Sequence, residues 1–157
     1  MTSALRPLYI AMRAPALADR RGLRWMLNER LWPVPVLVLR HRGRRSGKLY
    51  ATPVEAIGED RQRGEIVISP MRGTDSDWYR NVTAGGLVEV RLRGESHEAE
   101  WRELSERENR AALARYRQDH PLYGRLVLWM LMRMQGLSGE PTGAIAAALP
   151  MLSLRLR

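Results

Sequence analysis

The chain has 157 residues, with 26 lysines and arginines against 17 aspartates and glutamates, so its net charge is +9. It has no cysteine, which excludes disulfides, thiolate metal sites and cysteine nucleophiles. The length suggests a single domain over residues 1–157, and no apolar run approaches the ~20 residues of a transmembrane helix.

The excess positive charge lies in the first third of the chain. Residues 1–50 contain eleven cations and two anions, whereas residues 51–157 contain fifteen of each. Such a localised basic zone indicates an anionic partner, which could be nucleic acid, acidic lipid or a multiply charged small molecule. The alternative is a solvated, arginine-rich surface.

Residues 1–33 predict an N-terminal helical segment. Within it, residues 20–32 combine four arginines with two tryptophans, Trp25 and Trp32. This composition is typical of an interfacial amphipathic helix and predicts weak, salt-sensitive association with anionic membranes. The alternative is that both tryptophans pack over the mouth of a barrel.

Strand patterns follow this segment and continue through residues 34–102. Residues 34–39 form a continuous apolar run, which predicts a strand buried on both faces. A polar, glycine-containing loop separates it from a second strand at residues 49–57, and a third strand is predicted at 65–69. Pro53 cannot donate a ladder hydrogen bond, so we expect it at an edge or a bulge.

The rest of the barrel region contains a short helix and two alternating segments. Residues 75–84 predict a helix that ends at Gly85 and Gly86. Residues 88–93 and 97–101 alternate between apolar and polar side chains, which predicts a hairpin.

The C-terminal third predicts helices and a last strand. Residues 105–136 contain a capping box at Ser105 and Glu108, and Pro121 suits the first turn of a second helix. Residues 150–157 alternate and predict a final strand. Because strands and helices do not alternate regularly, we predict an α+β, mainly β fold. Its form would be a small split β-barrel of about six mostly antiparallel strands, with helices at the N-terminus and before the last strand.

The loop before the second strand is rich in groups that bind anions. Its residues are Gly43, Arg44, Arg45, Ser46, Gly47 and Lys48. It is not a P-loop, because three residues separate the glycines where that motif has four. Glycines let a backbone approach an anion closely, and arginine forks match phosphate or carboxylate oxygens. The alternative is a basic hairpin tip without a ligand.

Two further segments each allow two interpretations. In the run Asp77–Asn81, Trp78 can belong to a functional site or to the core face of the helix. The methionine-rich stretch 126–134 is interpreted as core, and the alternative is a lid or a helix that touches a membrane, since Arg125 and Arg133 flank it. The three histidines show no metal-ligand spacing, so no metal site is predicted.

Three segments together resemble a known family. They are HRGRRSGKLYATPVE at residues 41–55, VISP at 67–70 and DSDWYRNVTAGGLVEVRL at 75–92. In combination they resemble the deazaflavin (coenzyme F420)-dependent nitroreductase family of split β-barrel oxidoreductases. The resemblance extends from Val36 to Leu92 and more weakly to Tyr123.

The resemblance implies a set of site residues. The glycine-containing loop would hold the phosphate and acidic tail of the coenzyme, the second strand would line the deazaflavin, and the segment 77–81 would close the site. The residues so assigned are Val38, Leu39, Arg40, Arg44, Arg45, Ser46, Gly47, Lys48, Leu49, Tyr50, Thr52, Pro53, Ser69, Pro70, Met71, Asp77, Trp78, Tyr79, Arg80 and Asn81. Ser69 and Tyr123 are the candidate catalytic residues, which would hydrogen-bond or protonate the acceptor. Pro70 stands where the family often has a basic residue, and Tyr50 where some members have arginine.

The function implied is reduction of a small electrophile. Hydride would pass from reduced coenzyme F420 to a quinone, nitroaromatic or enone, in the cytoplasm or at the inner face of the membrane. One alternative is a split barrel that binds FMN. The other is a non-catalytic basic module for nucleic acid or acidic lipid. No nucleic acid is expected, because Tyr50 is the only aromatic residue in 33–77, and stacking platforms interleave aromatics with cations.

Overall fold

The computed structural model describes residues 34–60 and 63–157. The predicted helical segment 1–33, with the candidate membrane segment 20–32, lies outside the described residues. The described strands are β1 (Val36–Arg42), β2 (Leu49–Asp60), β3 (Glu65–Ile68), β4 (Leu87–Leu92), β5 (Glu95–His97), β6 (Ala99–Glu103) and β7 (Leu152–Leu156). The described α-helices are α1 (Asp77–Asn81), α2 (Glu106–Asp119), α3 (Pro121–Gln135) and α4 (Pro141–Ala148).

The strands form one antiparallel sheet in the order β5-β4-β1-β2-β3-β7-β6. The sheet curls, so that β4 and β6 come into contact although four strands separate them in that order. A curled antiparallel sheet with helices packed on one face is the α+β split-barrel fold that the sequence predicts.

The two faces of the sheet bury separate cores. Inside the barrel, side chains from β1, β3, β4 and β7 pack with the helix that follows β3. This core includes Leu37, Leu39, Ile66, Ile68, Val82, Val90, Leu152 and Leu154. The other face packs against α2, α3 and α4, and its core includes Leu113, Tyr116, Leu128, Leu131, Ile145 and Met151. Complete burial of one such aliphatic side chain contributes ~1.5–3 kcal/mol, so both cores stabilise the sheet.

Strand β2 connects these two environments. Pro53 pairs with Val38 of β1, whereas the register between β2 and β3 begins only at Ala56. Over the described residues, the side of β2 that faces β3 is therefore unpaired at Pro53, as the missing N–H requires. The register shifts between Ala56 and Gly58, so that Ala56 joins the barrel core and Ile57 joins the helical core.

Helices α2 and α3 form as the sequence predicts. The Ser105 hydroxyl accepts a hydrogen bond from the Glu108 amide, and the Glu108 carboxylate accepts one from the Ser105 amide at 2.9 Å. Helix α3 ends at Gly136, whose φ of 63° is left-handed. No helix in the described part of the chain is both long and apolar enough to cross a membrane.

Two details of the sequence prediction are wrong. The segment 97–101 does not form a hairpin with β4, because β6 pairs with β7 and only the short β5 pairs with β4. The turn between β4 and β5 consists of Arg93 and Gly94 at φ 53° and 84°, the left-handed pair of a two-residue hairpin. Helix α4 was not predicted. Glu140 caps it by accepting hydrogen bonds from the amides of Thr142 and Gly143.

Candidate functional site

The turn between β1 and β2, residues 43–48, is called the anion loop below. Its backbone closes on itself, because the Gly43 amide donates to the Lys48 carbonyl and the Gly47 amide donates to the Gly43 carbonyl, both at 2.8 Å. Gly47 has a φ of +64°, which favours glycine. A Cβ on Gly43 would lie 2.6 Å from Ser46 Oγ. The backbone of the turn thus requires glycine at position 47, whereas a side chain at Gly43 would displace the side chains of Ser46 and Tyr50.

Helix α1 fastens the anion loop through Asn81. The Asn81 Oδ1 atom accepts hydrogen bonds from the Arg44 amide at 3.1 Å and from Arg44 Nη1 at 3.0 Å. Arg44 Nη1 also contacts Asp77 Oδ1 at 3.2 Å. The predicted site residues Arg44, Asp77 and Asn81 are therefore brought together, and Arg44 is held by the protein.

A buried histidine, His41, forms a hydrogen bond with Asn81 and so fixes its side chain. Asn81 Nδ2 donates to His41 Nδ1 at 3.2 Å, and His41 Nε2 donates to Thr52 Oγ1 at 3.0 Å. Burial lowers the pKa of His41 against the opposing attraction of Asp77. A neutral imidazole with an accepting Nδ1 fits these bonds. The sequence analysis did not assign His41 to the site, although it stands two residues before the loop at the end of an apolar strand.

The outward side of the anion loop carries the remaining cations. The side chains of Arg45 and Lys48 are exposed, and within residues 34–60 and 63–157 neither has a carboxylate or hydrogen-bond partner. Tyr50 stacks on His41 with ring centroids 5.9 Å apart, and its hydroxyl lies 3.3 Å from Ser46 Oγ. These two cations and two hydroxyls are suitable ligands for phosphate or carboxylate oxygens.

The predicted contacts on β1 and β2 divide between the faces of the sheet. Alternation and the β1–β2 register put Leu39, Tyr50 and Thr52 on the barrel side. The set on the helix side is Val38, Arg40, Leu49 and Pro53. Leu39 is fully buried in the barrel core, so its side chain serves packing.

Arg40 lies on the helix side, where its Nη1 atom pairs with Glu89 Oε1 at 2.9 Å. This guanidinium lowers the pKa of the Glu89 carboxyl.

The segment after β3 lies next to α3. Ser69 Oγ donates to the Pro150 carbonyl at 3.3 Å, and Gln135 Nε2 donates to the Met71 carbonyl at 2.6 Å. Pro70 between them is buried. Met71 and Tyr123 both pack against the helical core, but Met71 is held at Gln135 at the C-terminal end of α3, whereas Tyr123 lies in the first turn of α3.

A half-buried carboxylate cluster, formed by Glu55, Tyr116 and Tyr123, lies on the helix side of β2. Both tyrosine hydroxyls donate to the Glu55 carboxylate, Tyr116 to Oε1 and Tyr123 to Oε2, the latter at 2.9 Å. Burial raises the pKa of Glu55, and hydrogen bonds from the tyrosines oppose this shift. Burial and the adjacent carboxylate raise the pKa of both tyrosines, which keeps them protonated.

Sequence reasoning found Tyr123 but missed its two partners. Glu55 sits between the buried residues Val54 and Ala56, and a carboxylate within an apolar strand was the available clue. Tyr116 and Tyr123 lie on separate helices, so only the fold brings them to Glu55.

The other side chains of α1, those of Trp78, Tyr79 and Arg80, contact other groups of the protein. Trp78 packs against the barrel core and meets the Tyr79 ring edge-on at 6.1 Å. The Tyr79 hydroxyl donates to Glu103 at 3.0 Å, and burial with this carboxylate raises the pKa of Tyr79 to about 12. Arg80 pairs with Asp75. The core-face interpretation of Trp78 is thus confirmed.

The anion loop and the carboxylate cluster lie at two points along one strand. Leu49 begins β2 and Glu55 is six residues further on, roughly 20 Å at the rise of an extended strand. Between them the helix-side face presents Ala51 and Pro53, a small, apolar surface. The donor set fits an elongated cofactor with an anionic end and a flat apolar end.

Comparison with solved structures found one match at a TM-score of 0.50, which shows the same fold. One match is entitled "Structure of F420-H2 Dependent Reductase (FDR-A)"; it has 20% sequence identity, covers 77% of this chain and 94% of that chain, and gives a TM-score of 0.50. Another, described as a domain-swapped dimer, has 18% identity, covers 77% and 80%, and gives a TM-score of 0.48. A comparison with curated proteins found no match.

The family comparison concerns most of the chain. Residues 17–129 match the family described as F420H(2)-dependent quinone reductase. This range contains the anion loop, α1 and the carboxylate cluster, and it confirms the resemblance stated from the three motifs. The chain therefore belongs to the F420H2-dependent quinone reductase family, and it is an F420H2-dependent reductase with coenzyme F420 as its cofactor.

Proposed function

We propose that this reductase acts on quinones, with nitroaromatics and enones as further electrophilic acceptors. The coenzyme supplies a hydride, and the protein positions the reactants and excludes water. The observation that carries the proposal is the anion loop, in which a fixed backbone presents Arg45 and Lys48 outward without protein partners among the described residues. An oligoglutamate-tailed phosphodiester is the kind of ligand that such a loop would retain.

The proposed coenzyme contacts follow from position along β2. Arg44, Arg45, Ser46, Gly47 and Lys48 would hold the phosphate and tail. Val38, Arg40, Leu49 and Pro53 would form the sheet surface under the coenzyme, and Tyr50 would border it at the loop. Thr52 lies on the barrel face and would act through its hydrogen bond with His41. The segment from Ser69 to Met71 would border the ring, and α1 would support the loop from behind.

At the other end of the site, Ser69 and Tyr123 are the proposed acceptor contacts. Tyr123 is half-buried and packs against the helical core. Because its pKa is raised, it reaches the acceptor as a neutral phenol. Ser69 has a hydroxyl that now donates to a carbonyl and can also accept a hydrogen bond.

Coenzyme titration and a turnover assay test this function. We expect fluorescence titration to give saturable F420 binding. Oxidation of F420H2, followed by absorbance, should then be fastest with a quinone when a quinone, a nitroaromatic and an enone are compared. Tight FMN binding without F420 binding would contradict the proposal, and a salt-dependent gel shift with nucleic acid would favour the basic binding module instead.

A Tyr123→Phe variant tests the proposed acceptor contact. Loss of a general acid costs ~10²–10⁴-fold in rate, so kcat should fall within that range while coenzyme affinity stays unchanged. An unchanged kcat would remove Tyr123 from the site.

We also propose weak association with the inner face of the membrane, which would bring the enzyme to lipid-soluble quinones. The support is the composition of residues 20–32, together with an exposed apolar stripe on α3. In that stripe Leu122, Leu126 and Trp129 are 83%, 58% and 60% exposed, and Arg133 lies 5.9 Å from the Trp129 ring. Leucine, tryptophan and arginine on one helix face are typical of membrane interfaces.

Vesicle sedimentation tests the membrane proposal. Binding to anionic but not neutral vesicles, lost at high salt, is expected. Trp25→Ala and Trp129→Ala identify which of the two segments contributes. Protein that stays in the supernatant with anionic vesicles at low salt contradicts the proposal.

A further inference from the structure

The carboxylate cluster has a hydrogen-bond pattern that restricts what Tyr123 can do. An ionised carboxylate only accepts hydrogen bonds. Tyr116 and Tyr123 both direct their hydroxyl hydrogens at Glu55. In this state the Tyr123 proton points away from any acceptor, and its loss would leave a phenolate beside a carboxylate.

We propose that Glu55 is a positioning residue whose protonation turns the Tyr123 hydroxyl hydrogen from the carboxylate towards the acceptor. This inference rests on the proposed role of Tyr123 at the acceptor. A protonated Glu55 has one O–H donor and can give it to a tyrosine oxygen. The tyrosine that receives it is released from donating to Glu55 and can donate elsewhere.

Burial selects Tyr123 as the tyrosine that acts. Tyr116 is 2% exposed and lies wholly within the helical core, whereas Tyr123 is half-buried at its margin. A hydrogen released from Tyr116 would meet only the protein interior. A hydrogen released from Tyr123 can reach a molecule bound beside α3.

The surroundings bring Glu55 protonation closer to neutral pH than in water. Among the described residues, the titratable groups that act on it are Tyr116 from α2, Tyr123 from α3 and His120 between these helices. The His120 ring packs 5.4 Å from the Tyr116 ring. All three favour the carboxylate, but burial outweighs them and raises the pKa of Glu55.

The proton step balances as follows. The Tyr123 O–H bond breaks as an O–H bond forms on the reduced acceptor, and water then returns a proton to the Tyr123 oxygen. Both electrons come from the reduced coenzyme that the reductase uses. Glu55 keeps its own proton and donates a hydrogen bond to the Tyr123 oxygen throughout.

The test compares pH profiles of wild type, Glu55→Gln and Tyr123→Phe with a quinone. Wild-type kcat should fall by about tenfold per pH unit above the Glu55 midpoint, as for one essential proton. Glu55→Gln always has an N–H donor for a tyrosine oxygen, so its profile should be flat and should exceed that of wild type at alkaline pH. Tyr123→Phe should be slow throughout, and the exposed Glu106→Gln should match wild type.

Several outcomes would overturn the inference. One is that kcat of Glu55→Gln falls with pH as in wild type and with the same midpoint. Another is that Glu55→Gln is as slow as Tyr123→Phe at every pH. Active wild type with an equally active Tyr123→Phe also overturns it while leaving the reductase function intact. Wild type that oxidises no F420H2 with any acceptor refutes the proposed function itself.

A measurement on the wild-type protein covers the case in which Glu55→Gln does not fold. NMR titration of the 13C-labelled Glu55 carboxyl in the free protein should give the same midpoint as the kcat/KM profile. Midpoints that differ by more than about one pH unit, a tenfold change in protonation equilibrium, would overturn the proposal.

Discussion

The two ends of the site on β2 use polar groups in opposite ways. At the anion loop, Asn81 accepts hydrogen bonds from the Arg44 amide and guanidinium and is itself held by His41, while the side chains of Arg45 and Lys48 have no carboxylate or hydrogen-bond partner among the described residues. At the carboxylate cluster, Glu55 and both tyrosines satisfy one another. If the two proposals hold, ligand binding at the loop needs no change in the protein, whereas proton donation by Tyr123 needs a change in the protonation of Glu55.

Among the effects on binding and stability, the largest is expected from the outward cations of the loop. Arg45→Ala and Lys48→Ala should each weaken F420 binding by ~1.5–3 kcal/mol, the scale of a hydrogen bond to a charged group, which is about 10- to 150-fold in Kd. Fluorescence titration measures this. The exposed Arg115→Ala on α2 is the matched control and should bind like wild type.

Tail length then sharpens the assignment of these two side chains. If they hold the glutamates, short-tailed coenzyme should lose less affinity than long-tailed coenzyme; if they hold the phosphate, both lose equally. Two variants that bind like wild type would disprove the loop assignment.

The next largest effect concerns the connection between loop and helix. Asn81→Ala leaves buried His41 Nδ1 and the Arg44 amide without their partner, which costs ~1–3 kcal/mol of unfolding free energy. Urea denaturation measures the loss, and faster exchange of the Arg44 amide should accompany it. Ser96→Ala, which removes an exposed hydroxyl contact at 3.3 Å, is the control. Equal stability of the two variants would show that Asn81 does not fasten the loop.

A smaller effect, confined to stability, is expected at α2. Ser105→Ala removes the side-chain acceptor of the capping box and should cost ~1 kcal/mol. Coenzyme affinity should not change, since Ser105 belongs to neither end of the site. A changed Kd in this variant would mean that helix stability and the anion loop are coupled.

The smallest effect is the change of unfolding free energy with pH, and it has opposite signs for Glu55 and His41. Glu55 has a raised pKa, so its contribution to stability is present below its unfolded value of 4.5 and is lost as pH rises through its folded pKa. His41 has a lowered pKa, so its contribution is present above 6.5 and is lost as pH falls through its folded pKa.

Urea denaturation over a pH series separates these two slopes. In Glu55→Gln, the unfolding free energy should no longer decrease as pH rises through the Glu55 midpoint. It should still decrease as pH falls through the His41 midpoint. If the unfolding free energy of Glu55→Gln changes with pH as that of wild type does around both midpoints, Glu55 is not the source of the loss of stability at rising pH.

The same contrast explains what the sequence could predict. The anion loop is contiguous, so its glycines and cations are visible as a motif. Likewise, the periodicity and caps of α2 and α3 are local properties. Glu55, Tyr116 and Tyr123 are brought together by packing between a strand and two helices, which no local pattern records.

The two errors in the predicted fold, the pairing of β6 and the missing helix α4, have related causes. Alternation identified β6 but could not name its partner, since the same pattern suits pairing with β4 or with β7. Helix α4 has the sequence PTGAIAAA, whose small side chains give no marked polar and apolar faces. Its cap at Glu140 was the available clue.

The continuity of β2 limits how the distance between the two sites can change. A strand turns each successive side chain to the opposite face, so inserting one residue between Pro53 and Glu55 would send the carboxylate into the barrel. Only paired insertions, in steps of roughly 6.6 Å, keep both ends on one face. The separation of the two ends can therefore change only in steps of two residues. A cofactor of intermediate length has to be accommodated by the turn between β1 and β2.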